Sequence, residues 1–311
     1  MKRSLSVVVP VFNSSVTLRQ LVERCCSVLS ECTQNFELVL VNDCSLDDSW
    51  NVICEIAQSV PQVRGINLSR NYGQHNALLC GIRFAKGEFL ITIDDDLQNP
   101  PEEIPKLLDK LEAGYDVVYG TPAHESHGIL RNIASKTTKL LLQRAMGADT
   151  AASISAFRAF RAHLRTGWKT AAETSVNIDV LLTWSSRKFV AIPVKHDARL
   201  AGMSNYTTAK LLHHALNMIT GFSTVPLRLA SMLGLALSSV GFAFLCYVLL
   251  MYLIYGPVVP GFVFLASVVS LFGGFQFLAL GIIGEYLARV HSRTIGRPQY
   301  VIRDVTRDWY E

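Results

Sequence analysis

Between Arg228 and Glu285 the chain carries no Asp, Glu, Lys or Arg. A stretch of that length without a charge cannot cover the surface of an ordinary soluble domain, so it calls for a different solvent. Two segments inside it, Leu229 to Ile254 and Val258 to Ile283, each exceed the roughly 20 residues that cross a bilayer, and Gly256, Pro257 and Pro260 punctuate them. Arg228 precedes the first, and Arg289, Arg293 and Arg297 follow the second. The positive-inside rule then puts both ends in the cytosol. The expectation is a two-helix transmembrane hairpin within residues 227–286, a cytosolic tail over 287–311, and a multi-pass protein of the plasma (inner) membrane.

Small residues recur at i, i+4 in both segments, as Ala230, Gly234 and Ser238 and as Ala266, Ser270 and Gly274. Such stripes let backbones approach closely, and they predict packing of the spans against each other or across protomers of a homo-oligomer. Gln276, deep in the second segment, reads as a hydrogen-bonding residue toward a neighbouring helix or as a contact for a lipid head group. Upstream, residues 207–226 carry Leu211, Leu212, Ala215, Leu216 and Ile219 beside Lys210, His213 and His214. This spacing fits an amphipathic helix lying on a bilayer, and equally a surface helix of the soluble part.

The remaining residues, 1–206, read as a soluble domain. Strand-like runs at Ser4 to Val11, Phe36 to Val41, Val63 to Leu68, Phe89 to Ile93 and Asp116 to Tyr119 alternate with helical spacing. The helices fall at Val16 to Ser30, Asp48 to Gln58, Gln74 to Ala85 and Pro101 to Ala113. Alternation of this kind predicts an α/β fold with a mostly parallel sheet, helices on both faces and ligands at the carboxyl ends of the strands. Beyond it, helical patterns at Leu130 to Met146 and Glu173 to Ser185 and a strand at Phe189 to Pro193 are expected to build the acceptor side.

A net charge of +4 without a basic run gives no footprint for nucleic acid. The seven cysteines, Cys25, Cys26, Cys32, Cys44, Cys54, Cys80 and Cys246, include no C-x-x-C pair and suit a reducing compartment. Lys2 and Arg3 before Leu5 to Val9 imitate the start of a signal peptide, but the apolar run is short and Pro10 interrupts it. The N-terminus is expected in the cytosol.

The segment ITIDDDLQNPPEE drives a hydrophobic strand into Asp94, Asp95 and Asp96. Adjacent carboxylates at a strand end repel one another unless a cation is present. In an extended chain Asp94 and Asp96 face one side and can share a divalent ion, with the Gln98 carbonyl continuing that side; Asp95 faces the other and is placed with the donor-binding residues. Oxygen donors of this kind suit Mg²⁺ or Mn²⁺, which would bridge the phosphates of a nucleotide sugar. A second strand, LVLVNDCSLDDS, ends in Asn42 and Asp43. Asp43 can accept from the imide N–H of a uracil ring, an Asx-turn being the other reading, while Asp47 and Asp48 read as helix caps. Pro10, Val11, Phe12 and Asn13, at the end of the first strand, would border the same pocket.

The motifs VVVPVFN, VNDCS, SRNYGQHNAL, DDDLQNPPEEIPKLL, SAFRAFR and LGIIGEYLARV together resemble glycosyltransferase family 2, in its polyprenyl-phosphate glycosyltransferase branch. RNYGQH and LQNPPEEIP are most similar to the formamido-arabinose transferases of that branch. The resemblance covers essentially the whole chain. It implies a GT-A fold, an inverting reaction, a nucleotide-sugar donor and a polyprenyl (undecaprenyl) phosphate acceptor. It further implies that Asp94, Asp96 and Gln98 hold the metal, that Asp43 reads the base, and that Arg70, Asn71 and Gly73 lie near the donor. Arg131 and Ser135 match an R-x-x-x-S pattern that holds the acceptor phosphate in similar enzymes, Arg131 being counted with Asp94 and Asp96 as catalytic; helix solvation is the other reading of Arg131.

Three departures from the family pattern stand out. Gly202-Met203-Ser204-Asn205-Tyr206 lacks the lysine of Gly-x-Ser-Lys-Tyr, leaving its charge to Arg199. Ala156 precedes Phe157-Arg158 where similar enzymes place an Asp, which leaves the catalytic base unassigned. Thr121-Pro122-Ala123 lacks an arginine for the diphosphate, a role that falls to Arg131 or Lys136. A processive polysaccharide synthase is excluded by the lack of Q-x-x-R-W. The competing class is a catalytically idle membrane protein that binds a nucleotide sugar or docks a partner.

Overall fold

The computed structural model describes residues 4–122, 154–168, 177–197, 225–255, 261–295 and 298–306. The expectations for Arg131, Ser135, Lys136 and Arg199, the helical pattern at 130–146 and the amphipathic segment at 207–222 lie outside the described residues. By its internal contacts the chain divides into two units, Met1–Tyr206 with Gly296–Glu311, and Thr207–Ile295.

The first unit is built on one sheet. Its strands are β1 (Ser4–Val11), β2 (Asn35–Asn42), β3 (Val63–Leu68), β4 (Phe89–Thr92), β5 (Val117–Pro122), β6 (Arg158–Arg161), β7 (Phe189–Val194) and β8 (Ile302–Val305). They run in the order β7-β5-β6-β4-β1-β2-β3-β8. The helices described are α1 (Leu18–Cys32), α2 (Ser49–Ser59), α3 (Gln74–Phe84), α4 (Ile104–Glu112) and α5 (Ile178–Ser185).

β1 is the central strand, parallel to β2 on one side and to β4 on the other, with Val11 opposite Asn42 and Val8 opposite Thr92. Its β-branched run reads as continuous rather than alternating because both faces are covered. Val7, Val9 and Val11 pack with Leu18, Leu21, Ile53 and Leu107 on one face, and Val8 packs with Val39, Val41, Ala77 and Leu78 on the other. On that second face Gly81 lets α3 settle onto the sheet: a Cβ there would lie 2.4 Å from Val8 Cγ1 and 3.0 Å from Val41 Cγ2.

The mostly parallel sheet is present with three antiparallel pairings. β6 runs antiparallel to both β4 and β5, and β8 antiparallel to β3. Neither β6 nor β8 follows from the periodicity of the sequence. β6 lies inside the SAFRAFR motif, and β8 belongs to the segment 287–311, read from the sequence as a cytosolic tail. Ser69 N–H donates to Val301 O at 2.9 Å and Thr306 N–H to Gly65 O at 3.0 Å, so part of this segment returns to the sheet. The helix expected from Pro101 opens instead with a 3₁₀ turn, Pro101–Glu103, before α4, consistent with Pro105 lacking an N–H to donate.

The second unit contains α6 (Val225–Tyr255, 31 residues) and α7 (Phe262–Thr294, 33 residues). They touch through Phe244 and Phe264, whose ring centroids lie 5.3 Å apart, and at Gly241, where a Cβ would sit 3.3 Å from Phe272 Cζ. Of the small-residue stripes, only Gly234 and Gly274 are among the described side chains, and nothing lies within 4 Å of a Cβ at either; Ala230, Ser238, Ala266 and Ser270 lie outside them. α7 continues past Ile283, through Glu285, Arg289 and Arg293. Counted over the described side chains alone, no helix is long and apolar enough to cross a membrane; several positions within α6 and α7 are not among those side chains.

Candidate functional site

Because β1, β2, β3 and β4 are mutually parallel, their exits fall on one edge of the sheet. The chain proceeds from β1 to β2 and β3 on one side and returns to β4 on the other, so a topological switch point lies between β1 and β4. In open α/β sheets that crevice is where ligands bind. Four loops meet there: residues 12–17, 43–48, 69–73 and 93–98.

β4 stops at Thr92, one residue short of the expectation, and Asp95 and Asp96 form a turn completed by Leu97 at φ 60. The extended alternation that would place Asp94, Asp96 and Gln98 on one side therefore does not apply. The three carboxylates instead take different partners. Asp94 Oδ1 accepts from Gln74 Nε2 at 2.7 Å, and Asp96 Oδ1 accepts from the Gln98 N–H at 3.1 Å. Asp95 turns toward β1, where its Oδ2 accepts from the Phe12 N–H at 3.0 Å and from the Ser14 hydroxyl, while its carbonyl accepts from the Thr17 hydroxyl at 2.7 Å. Burial pushes the Asp95 carboxyl above the usual range, against the pull of these donors.

Asp43 is 3 % exposed. Its Oδ1 accepts from the Tyr72 N–H at 2.7 Å and its Oδ2 from the Gly73 N–H at 2.8 Å, so it holds the loop after β3. That loop turns at Gly73, whose φ of 87 is costly for any L side chain, and α3 starts immediately after it. Arg70 stacks over the Tyr72 ring at 4.6 Å, and Asn71 Oδ1 accepts from the Gly73 N–H at 3.2 Å. Pro10 and Val11 are buried in the sheet, which leaves Phe12, 46 % exposed, and Asn13 to border the crevice. Asn13, at φ 55, ties its loop to the next one, accepting from the Leu46 N–H at 2.8 Å and donating to Ser45 Oγ at 3.0 Å.

The two expected caps differ. Asp47 Oδ1 accepts from the Ser49 N–H at 3.1 Å and its Oδ2 from the Ser15 N–H at 3.0 Å. Asp48 occupies the N-cap position of α2 without capping it, and its carboxylate accepts from the Asn51 amide.

Several residues at this edge were assigned no role from the sequence, although Arg158 lies in the SAFRAFR motif. Arg158 in β6 is 1 % exposed; its Nε donates to Thr92 Oγ1 at 3.0 Å and its Nη1 to Asp179 at the start of α5. Tyr119 donates to the same Asp179 oxygen at 3.1 Å, its hydroxyl pushed well above its ordinary range by burial and by the Asp179 charge. This closed network underlies the acidic turn. From β7, the Asp197 N–H donates to Gln98 O at 2.8 Å and the His196 ring lies 3.4 Å from Asn99 Oδ1, so the β7 exit is stitched to the same turn. A buried ion pair between remote strands and helices leaves no local periodicity to read.

Among the described residues no three or more His, Cys, Asp or Glu side chains gather into a metal cage. The pair Asp94 and Asp96 with Gln98 is a set of hard oxygen donors from one turn. This fits Mg²⁺ or Mn²⁺, which take one or two carboxylates and leave positions for phosphate oxygens and water.

Comparison with known proteins agrees with this architecture. Residues 6–166 match the model of Glycosyl transferase family 2. The chain is 37% identical over 305 residues to the undecaprenyl-phosphate 4-deoxy-4-formamido-L-arabinose transferase of Shewanella sediminis, covering 97% of this chain and 92% of that one. It is 36% identical over 308 residues to the protein of the same name from Klebsiella pneumoniae, covering 98% and 94%. Among solved structures, glucosyl-3-phosphoglycerate synthase from Mycobacterium tuberculosis in complex with Mn²⁺, uridine diphosphate and phosphoglyceric acid superposes with a TM-score of 0.51. The identity there is 17%, with 70% of this chain and 76% of that chain covered. At that identity the likeness speaks for the GT-A fold.

Proposed function

The chain belongs to glycosyl transferase family 2, and from that premise we propose that it moves a sugar from a nucleotide diphosphate, a UDP-sugar, to undecaprenyl phosphate with inversion at the anomeric carbon. The observation that carries this reading is the turn of Asp94, Asp96 and Gln98 at the switch point between β1 and β4. Two relatives across nearly the full chain are named for transfer to undecaprenyl phosphate, which supports the acceptor. The solved fold neighbour is described with Mn²⁺ and uridine diphosphate, which supports the donor class.

In this reading Asp94, Asp96 and Gln98 hold Mg²⁺ or Mn²⁺, which when bound neutralises charge on the departing diphosphate. Phe12 offers an exposed aromatic face to the nucleobase, and Asn13 fixes the loop beside it. Asp43 reads the uracil with lone pairs beyond those that hold Tyr72 and Gly73, and Arg70 with Asn71 lines the donor side. Arg131, Ser135 and Arg199 hold the acceptor phosphate. An oxygen of that phosphate bonds to the anomeric carbon as the bond from that carbon to the nucleoside diphosphate breaks. A phosphate monoester with a second pKa of about 6 is largely dianionic at neutral pH, so orientation rather than a strong base supplies the effect. This accommodates Ala156 in place of an aspartate.

α6 and α7 act as the membrane hairpin with the catalytic unit in the cytosol. In support, the sequence of both is free of charge from residue 229 to 284, and apolar side chains such as Leu235, Phe242, Leu253 and Phe277 point outward, at 71%, 68%, 79% and 77% exposure. Such a surface suits lipid.

The test is a partition assay with the full-length protein in detergent, undecaprenyl phosphate, Mn²⁺ and a panel of radiolabelled UDP-sugars that includes UDP-4-deoxy-4-formamido-L-arabinose. Label is expected in the organic phase with one donor. Label that stays aqueous with every donor, while the protein is folded, overturns the proposal.

A further inference from the structure

Gln74 is the first residue of α3 and follows directly on Gly73, whose N–H is held by Asp43. Because α3 crosses the face of β1 and β2, its N-terminus stands over the exits of these strands, beside that of β4. From there the side chain reaches the acidic turn, and Nε2 donates to Asp94 Oδ1 at 2.7 Å. Gln74 is exposed, so this bond answers no burial requirement and the side chain contributes little to the core.

We propose that Gln74 is the positioning residue for the Asp94 carboxylate, fixing Oδ1 so that Asp94 meets the divalent ion in one orientation and linking that orientation to the donor-side loop through Gly73 and Asp43. The inference rests on the metal reading given above. The chemistry of the side chain is what such a task needs. A neutral amide orients a carboxylate and leaves its charge available to a cation, whereas an ammonium in the same place would form an ion pair that competes with the metal. Partners that orient ligating carboxylates matter for affinity, and their loss costs about 10–100-fold in metal binding or activity.

The experiment reads Mn²⁺ binding without turnover. Full-length protein in detergent with UDP and no sugar is titrated with Mn²⁺, and free Mn²⁺ is followed by electron paramagnetic resonance for the wild type, Gln74→Ala, Gln74→Lys and Asp96→Asn. Gln74→Ala is expected to weaken Mn²⁺ binding about 10–100-fold with an unchanged melting temperature, and Gln74→Lys to weaken it at least as much. A residue that merely caps α3 would leave both variants with wild-type Mn²⁺ affinity, and that result overturns the role of Gln74 alone. A wild type that binds no Mn²⁺, with Asp96→Asn indistinguishable from it, overturns the metal reading and the role of Gln74 together.

Discussion

Asp95 leaves β4 but closes on β1: its Oδ2 accepts the backbone N–H of Phe12 at 3.0 Å. The Ser14 hydroxyl donates to the same oxygen. The middle carboxylate of the triplet thus braces the switch point, while its neighbours face Gln74 and Gln98. Asp95→Ala removes the charged acceptor that the Phe12 N–H and the Ser14 hydroxyl share, at a cost of about 1.5–3 kcal/mol. The expected outcome is a lower melting temperature and weaker UDP binding by calorimetry, with Asp95→Asn milder because one acceptor oxygen remains. Equal behaviour of Asp95→Ala and wild type would contradict the brace.

Arg158 and Asp179 form a buried pair, and breaking such a pair from one side leaves an uncompensated charge. Arg158→Met is expected to cost about 3–5 kcal/mol. Arg158→Met combined with Asp179→Leu removes both charges and should recover most of the loss, although the Tyr119 hydroxyl then loses its acceptor; Thr92 keeps its bond to Ala156 O at 2.7 Å. Thermal melts of the two variants decide this, and a double variant no more stable than the single would contradict it.

Gly81 and Gly73 are both glycines of the α3 region, for different reasons. At Gly81 a methyl group would press on Val8 and Val41, so Gly81→Ala should lower stability by about 1–3 kcal/mol through overpacking. At Gly73 there is open space, and Gly73→Ala meets only the backbone strain of φ 87 with ψ 153, about 1–3 kcal/mol. The second variant should shift the Arg70 to Gly73 loop and weaken UDP binding more than its small loss of melting temperature suggests. Wild-type UDP affinity in Gly73→Ala would count against that loop bordering the donor.

Asp43 predicts a pH dependence. Burial pushes its carboxyl above the usual range, and the Tyr72 and Gly73 N–H donors pull it back only in part. A carboxyl that gains pKa on folding holds its proton more tightly in the folded chain. Its ionisation therefore costs nothing below the unfolded value of about 3.9. The cost grows as pH rises through that value to the raised folded one, and it is complete above. The wild-type advantage over Asp43→Asn should be largest at the acid end, shrink as pH rises through this window and then level off. Paired melts across pH check it, and a flat difference would contradict the assignment.

Local pattern and long-range pairing divide what the sequence revealed. β1 and β3 were readable to the residue because their β-branched runs are bounded by turn residues, and α3 to within one residue because its apolar face repeats at helical spacing. The strand ends carrying Asp43 and Asp94 were readable for the same reason. β6 and β8 were not. Each is four residues long, and each is fixed by a partner distant in sequence, as when Asn67 Nδ2 donates to Asp304 Oδ2 at 3.1 Å. The direction of Asp95 was equally hidden, because an alternation rule holds only while the chain stays extended and the turn at Leu97 ends it.

The central claim is that the carboxylates of the β4 turn serve a divalent ion at a sugar diphosphate. It is tested most directly by the rate at which label moves from UDP-sugar to undecaprenyl phosphate in wild type and in Asp96→Asn, each titrated with Mn²⁺ and with EDTA. The account predicts wild-type transfer that EDTA stops and Mn²⁺ restores, and an Asp96→Asn protein that melts like wild type yet transfers at least about 100-fold more slowly, in line with loss of a residue holding a transition-state charge. Wild-type transfer that survives EDTA, or an Asp96→Asn protein as active as wild type, would contradict it.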